Sequence, residues 1–140
     1  MFAIRDRPLD AAALRAALAG HDAGGLVVFE GWVRRRNEGR EVVSLAYEAY
    51  VPMAEREGAA ILAEARQRFA ILAAVAEHRV GVLPLGEIAV WVGVTAEHRD
   101  AAFQACRFVI DEIKERLPVW KKEQYADGTS DWVLCRHDHH

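Results

Sequence analysis

Between residues 25 and 34 the chain alternates. Leu26, Val28, Glu30 and Trp32 fall on one face, and Val27, Phe29 and Val33 on the other. A period of two predicts a β-strand. Residues 41–50 predict a second strand. The polar loop Arg35-Arg36-Asn37-Glu38-Gly39-Arg40 would join the two as a hairpin. Residues 87–95 alternate most sharply, with Ile88, Val90, Val92 and Val94 on one face and Trp91 on the other. Residues 74–81 predict one more strand, and Leu83-Pro84-Leu85-Gly86 a turn.

Elsewhere the spacing changes to three and four. Pro52 suits a first helical turn, and Ile61, Leu62, Ala65 and Phe69 give a helical face after it. Phe103, Cys106, Ile110, Ile113 and Leu117 form a second apolar stripe, which Pro118 ends. Thr95 is the expected cap of that helix. Asp10 is the expected N-cap of a short alanine-rich helix that stops by Gly20. Extended pieces at 119–125 and 132–134 close the chain. Helix, two strands, helix, two strands, helix is an α+β order, with helices on a mainly antiparallel sheet. No repeat or linker interrupts it, so residues 1–140 are expected to form a single domain with a flexible tail at 136–140.

Composition narrows the possibilities. A chain of 140 residues buries a core without staples, and 52% hydrophobic with 28% charged residues is ordinary globular usage. Eighteen Lys and Arg against 21 Asp and Glu leave a net charge of −3. That argues against coating nucleic acid, so an anionic ligand would need a local basic cluster. Cys106 and Cys135 are too few for a disulfide framework or a cysteine-rich zinc site. The N-terminal stretch, residues 1–7, has charges where a signal peptide needs its apolar run. The longest apolar run, 69–76, is far short of the ~20 residues that span a bilayer. The expectation is a soluble, cytoplasmic protein with no membrane and no nucleic-acid partner.

Three basic clusters are candidates for chemistry. Arg34-Arg35-Arg36, with Arg40 beyond, can fork onto a phosphate or carboxylate, or form a solvated loop. Glu97-His98-Arg99 stands at a strand-to-helix junction, where backbone N–H groups favour an anion; the alternative is a surface or capping role. Lys114 borders the last apolar stripe, so its stem can lie on apolar surface while its ammonium reaches a cleft; the alternative is a surface pair with Asp111. Lys121 and Lys122 follow Trp120 just past Pro118. Cys106 reads as an inert core thiol. His137-Asp138-His139-His140 reads as a solvent tail rather than a metal chelator. There is no glycine-rich phosphate loop, nucleophile elbow or HExxH pair. These features do not name a reaction, and a non-catalytic anion-binding or protein-docking module stays open beside an enzyme.

The ordered motifs are more specific. They are Phe29-Glu30-Gly31-Trp32-Val33-Arg34, Tyr47-Glu48-Ala49-Tyr50 with Pro52-Met53, and His78-Arg79-Val80-Gly81. Val92-Gly93-Val94-Thr95-Ala96-Glu97-His98-Arg99, Pro118-Val119-Trp120-Lys121-Lys122-Glu123 and Asp131-Trp132-Val133 follow. From about residue 25 to 136 the chain resembles the large, catalytic subunit family of molybdopterin synthase. The resemblance implies an α+β fold with a hammerhead-like insertion. It implies a sulfurtransferase that moves sulfur from the C-terminal thiocarboxylate of a small ubiquitin-like, Gly-Gly-ended subunit to cyclic pyranopterin monophosphate. The product is the dithiolene of molybdopterin, a step of molybdenum cofactor biosynthesis. It implies a homodimer within a heterotetramer, and no resident cofactor or metal.

Residue by residue, the resemblance assigns Lys114 and Lys121 to catalysis. It assigns Arg34, His98, Arg99, Lys122, Glu123 and Arg136 to substrate binding, and by resemblance to dimeric homologues one of Arg34, His98, Arg99 and Arg136 can come from the neighbouring protomer. Because sulfur arrives on the partner, no protein thiol is required. Trp32 departs from a lysine common in the family, Arg35-Arg36 from a shorter polar pair, and Ile110 from a familiar methionine. The stretch between Glu123 and Trp132 is slightly longer than usual. Lys114 and Lys121 beside His98-Arg99 favour the enzyme over the non-catalytic module.

Overall fold

The structure, a computed structural model, describes residues 1–134. Its elements are β1 (Phe2–Arg5), α1 (Ala11–Ala17), β2 (Gly25–Trp32), β3 (Arg36–Asn37), β4 (Arg40–Ala49) and α2 (Val51–Arg68). They continue with β5 (Ala73–Arg79), β6 (Gly81–Pro84), β7 (Ile88–Ala96), α3 (Arg99–Arg116), β8 (Val119–Tyr125) and β9 (Ser130–Leu134). The α+β class and the mainly antiparallel pairing are as expected. The one parallel pair is β1 with β5. One sheet runs β1-β5-β7-β2. The other runs β3-β4-β8-β9, with β6 also on β4.

The expected hairpin of residues 25–34 with 41–50 does not form. β2 pairs with β7, from Gly25 opposite Ala96 to Gly31 opposite Val90, while β4 lies in the other sheet against β8 and β6. A register shift between Gly31 and Trp32 precedes the last pair, Trp32 opposite Ile88, after which the chain leaves β2. Val33 then turns inward, fully buried, and exchanges backbone hydrogen bonds with Glu87 and Gly86. The intervening loop makes its own small hairpin. Glu38 and Gly39 both take positive φ, 51° and 81°, a turn geometry suited to the twist of two tightly joined strands.

Three other local readings change. The charged N-terminus forms β1, because Phe2 and Ile4 pack on the core despite Arg5 and Asp6 beside them. Phe2 lies against α2 at Gly58, where a Cβ would stand 2.3 Å from its ring. Residues 83 and 84 belong to β6, with Leu83 fully buried opposite Leu45. Thr95 stays inside β7, and His98 occupies the N-cap position of α3 without a side-chain capping bond.

Helices α2 and α3 bury Ile61, Leu62, Ala65, Ala105, Cys106, Val109 and Ile113 in one large core with Val90, Val92 and Val94 of β7. Trp91 points to the opposite face of the sheet, into a smaller cluster with Leu14 and Leu18 of the α1 region. The expected α3 stripe is shifted. Phe103 is exposed, and Ala102 and Ala105 allow α3 to approach the sheet instead. The C-terminal end of α3 is clamped to α2. Arg116 bonds Glu57 at 2.7 Å, Glu64 at 2.7 Å and Glu112 at 3.2 Å. That clamp holds the helical turn carrying Lys114.

Candidate functional site

Strand β8 sets the site by alternation. Val119, Lys121, Glu123 and Tyr125 turn inward, while Trp120 and Gln124 turn out. Its register with β4 puts Tyr47 opposite Lys121 and Leu45 opposite Glu123, so these four side chains share one face. Phe29, Gly31 and Trp32 of β2 supply a second wall, and Lys114 enters from the last turn of α3. Arg34 and Asn37 close the rim. The cavity they line is about 280 Å³, just below the roughly 300–1,000 Å³ typical of ligand sites.

The polar groups form a chain. Arg34 donates from Nη2 to Asn37 Oδ1 at 2.9 Å, and Asn37 Nδ2 donates to Glu123 Oε1. The same Oε1 lies 3.8 Å from Lys121 Nζ. Glu123 is 1% exposed and Lys121 7%, so the pair is shielded from solvent: its Coulomb attraction is strengthened while both groups bear a desolvation cost. Glu30 also lines the cavity and accepts a 3.0 Å hydrogen bond from the Trp32 indole N–H. With three cations, Arg34, Lys114 and Lys121, against Glu30 and Glu123, the cavity is net positive in a chain that is net negative.

Behind this wall lies His78. Its ring meets Tyr47 edge-on, with centroids 5.1 Å apart and planes at 73°. Burial, and to a lesser degree the Lys114 charge, pull its pKa down to about 4, so it is neutral at physiological pH. Its Nδ1 lies 2.9 Å from the Arg79 carbonyl. A carbonyl only accepts, so the neutral ring carries its proton on Nδ1. Cys106 packs beneath the sheet, and burial pushes its thiol up to about 11. Such a thiol is a poor nucleophile.

The structure brings together Arg34, Lys114, Lys121 and Glu123 from the sequence-derived set. Lys122 is not with them, because alternation turns it to the other face of β8, where its ammonium lies 5.7 Å from the Trp132 ring centre. His98 and Arg99 are exposed at the opposite end of α3. Lys114 lies fifteen positions after Arg99, about 22 Å along a helix. Arg40 is occupied elsewhere: its guanidinium stacks 3.5 Å over Tyr125 and bonds Asp127, Asp131 and Thr129. Arg136, Cys135 and the terminal histidines lie outside the described residues. Among the described residues, no three His, Cys, Asp or Glu side chains gather as a metal would require. Asn37 and Tyr47 are the site residues that sequence reasoning missed. The turn signal at Glu38-Gly39 and the alternation through Tyr47 were the available clues. A wider depression of about 610 Å³ beside α1 has one charged side chain in its lining, Arg15, and so offers little to an anionic substrate.

Known proteins resemble this chain in sequence and in fold. The family model described as MoaE protein matches residues 4–116. The molybdopterin synthase catalytic subunit of Thermoplasma volcanium is 45% identical over 111 residues, which is 79% of this chain and 81% of that protein. The subunit of the same name from Oryza sativa subsp. indica is 51% identical over 106 residues; the match covers 76% of this chain and 55% of the rice protein. Among solved structures, molybdopterin synthase from Staphylococcus aureus superposes with a TM-score of 0.88 at 36% identity, covering 94% of this chain and 96% of that one.

Proposed function

This chain belongs to the MoaE protein family, and from that premise we propose that the cavity walled by Lys114 and Lys121 is where it transfers sulfur. The activity is that of a molybdopterin synthase catalytic subunit, a sulfurtransferase of molybdenum cofactor biosynthesis. Sulfur leaves the C-terminal thiocarboxylate of a small ubiquitin-like subunit and is bonded to cyclic pyranopterin monophosphate, in two rounds, to build the dithiolene.

Both reactants are anionic, and the cavity is the place where this acidic chain concentrates positive charge. Arg34 is the fork for the phosphate. Lys114 stands at the transfer centre. Its ammonium offsets negative charge and holds or moves a proton where the carbon–sulfur bond of the thiocarboxylate breaks. Lys121 supports it, aligned by Glu123. Lys122, on the outer face of β8, meets the incoming partner rather than the pterin. Arg136 keeps the anchoring role that the resemblance implies. His98 and Arg99 lie too far from Lys114 to share its substrate within one protomer, so they serve the cavity of a neighbour in a homodimer at the centre of a heterotetramer. The protein acts in the cytoplasm as one domain; no helix among the described residues is long and apolar enough to cross a membrane.

The observation that carries this reading is convergence. The segment after β2, the end of α3 and strand β8 deliver Arg34, Lys114, Lys121 and Glu123 to one small cavity. The test mixes the protein with a thiocarboxylated partner and cyclic pyranopterin monophosphate and measures dithiolene product. Lys114→Ala should lose about a hundredfold or more in turnover, the scale of a lost electrostatic stabiliser, with its thermal melt unchanged. A variant that kept the full rate would refute the assignment.

A further inference from the structure

Asn37 touches both charged halves of the cavity rim. Its carbonyl oxygen accepts from Arg34 at 2.9 Å, and its amide nitrogen donates to Glu123, 86 residues away in sequence. We propose that Asn37 is a positioning residue that couples the substrate-anchoring Arg34 to the Lys121–Glu123 pair. The proposal rests on the reading of this cavity as the sulfur-transfer site.

The two contacts call for a side chain that both accepts and donates, which an amide does on two separate atoms. Arg34 has only donors to give, and ionised Glu123 has only acceptors. A side chain between them must accept on one side and donate on the other. Aspartate would satisfy Arg34 but repel Glu123. A lysine would bind Glu123 but repel Arg34. Asparagine is short and planar and carries both functions on one rigid group.

The backbone holds it in place. Asn37 pairs with Arg40 across the positive-φ turn at Glu38-Gly39. Arg40 in turn is stacked over Tyr125 and bonded to Asp131 of β9. The tip of the β3–β4 hairpin is thereby pinned to the β8–β9 pair, of which β8 carries Lys121 and Glu123. A carboxylate as buried as Glu123 is stable only with good partners, and Asn37 and Lys121 both engage its Oε1. Asn37 fixes where that oxygen sits, and so where the Lys121 ammonium is drawn.

The two contacts can be cut separately. Asn37→Asp keeps the acceptor for Arg34 and loses the donor for Glu123. Its KM for cyclic pyranopterin monophosphate should stay within about twofold, while kcat falls about tenfold to a hundredfold, the loss expected for a hydrogen bond to a charged group. Asn37→Ala cuts both contacts and should raise KM as well as lower kcat. In a Glu123→Gln background, Asn37→Ala should add little further loss of kcat, because its effect passes through Glu123. All rates are taken per folded protein, by circular dichroism. Wild-type kcat in Asn37→Asp, or losses that simply add with those of Glu123→Gln, would overturn the coupling. So would kcat and KM changing alike in Asn37→Asp and Asn37→Ala. Lys114→Ala separates this failure from that of the site reading. An inactive Lys114→Ala beside a normal Asn37→Asp rejects only the role of Asn37, whereas an active Lys114→Ala rejects the site.

Discussion

The placement of His98 and Arg99 gives the sharpest test of the assembled enzyme. They open α3, and Lys114 stands in its last turn. Lys114 lies fifteen positions after Arg99, about 22 Å along the helix, and no arginine and lysine side chain bridge that span onto one small substrate. If all three residues act on the same molecule, they come from different protomers. Each cavity of a homodimer then combines Lys114 of one subunit with His98 and Arg99 of the other. A subunit carrying Lys114→Ala paired with one carrying His98→Ala and Arg99→Ala contains one doubly damaged cavity and one intact cavity. Such a hybrid, isolated through two different affinity tags, should show about half the wild-type rate per dimer, because an isologous dimer has two equivalent sites. Both parent homodimers should be at least about tenfold slower at subsaturating pterin, the scale of a lost charge-assisted contact. The reciprocal hybrid places all three substitutions on one subunit opposite a wild-type partner. It damages both cavities and should be as slow as the parents. The readout is dithiolene formation from the thiocarboxylated partner. Action within a single protomer inverts the pattern, with the first hybrid inactive and the reciprocal one half-active. That inversion would refute the shared-site reasoning.

Two further outcomes concern groups that titrate. His78 has a folded-state pKa of about 4 against 6.5 unfolded, so the unfolded chain binds its proton first as pH falls. Its contribution to stability is whole above pH 6.5 and is lost progressively down to pH 4, by an amount on the order of 3 kcal/mol. Melting temperatures of wild type and His78→Gln across that window should converge toward pH 4, and parallel curves would refute the assignment. Arg116→Met should destabilise the fold by about 1 kcal/mol by leaving Glu57, Glu64 and Glu112 without their shared cation. Glu64 is held below the usual carboxylate range, first by its hydrogen bond from Arg116. Its share is therefore complete above ordinary carboxylate pKa values and disappears as pH falls through its lowered folded value. The gap between variant and wild type in urea unfolding should narrow at pH 3, and an unchanged gap would argue against the clamp.

Some of this was legible along the chain because it depends only on near neighbours. The alternation around Val92 made β7, the spacing from Cys106 to Leu117 made α3, and Pro118 ended it. Motif order pointed to Lys114, Lys121 and Arg34 through family resemblance. Partner choice was not legible in the same way. Residues 25–34 and 41–50 each read as a strand, and each is one, but a period of two states that a strand has faces and not which strand lies beside it. The nearest strand in sequence was the natural guess. The register shift at Gly31–Trp32 and the inward turn of Val33 sent the two strands to different sheets. Lys121, Lys122 and Glu123 looked like one basic-acidic segment until the strand's alternation divided them between two faces.

The sequence by itself determined the α+β class, the helices that carry the core, the family and the residue types able to hold an anion. Those properties come from local spacing, composition and short ordered motifs. Tertiary structure alone decided which of the basic residues meet. It joined Arg34 to Glu123 through Asn37 across 86 positions, separated Lys122 from Lys121, and put His98 and Arg99 a helix length away from Lys114. The physical reason is that a site is made by strand register and helix length. Those set distances between residues remote in sequence, which no window along the chain contains.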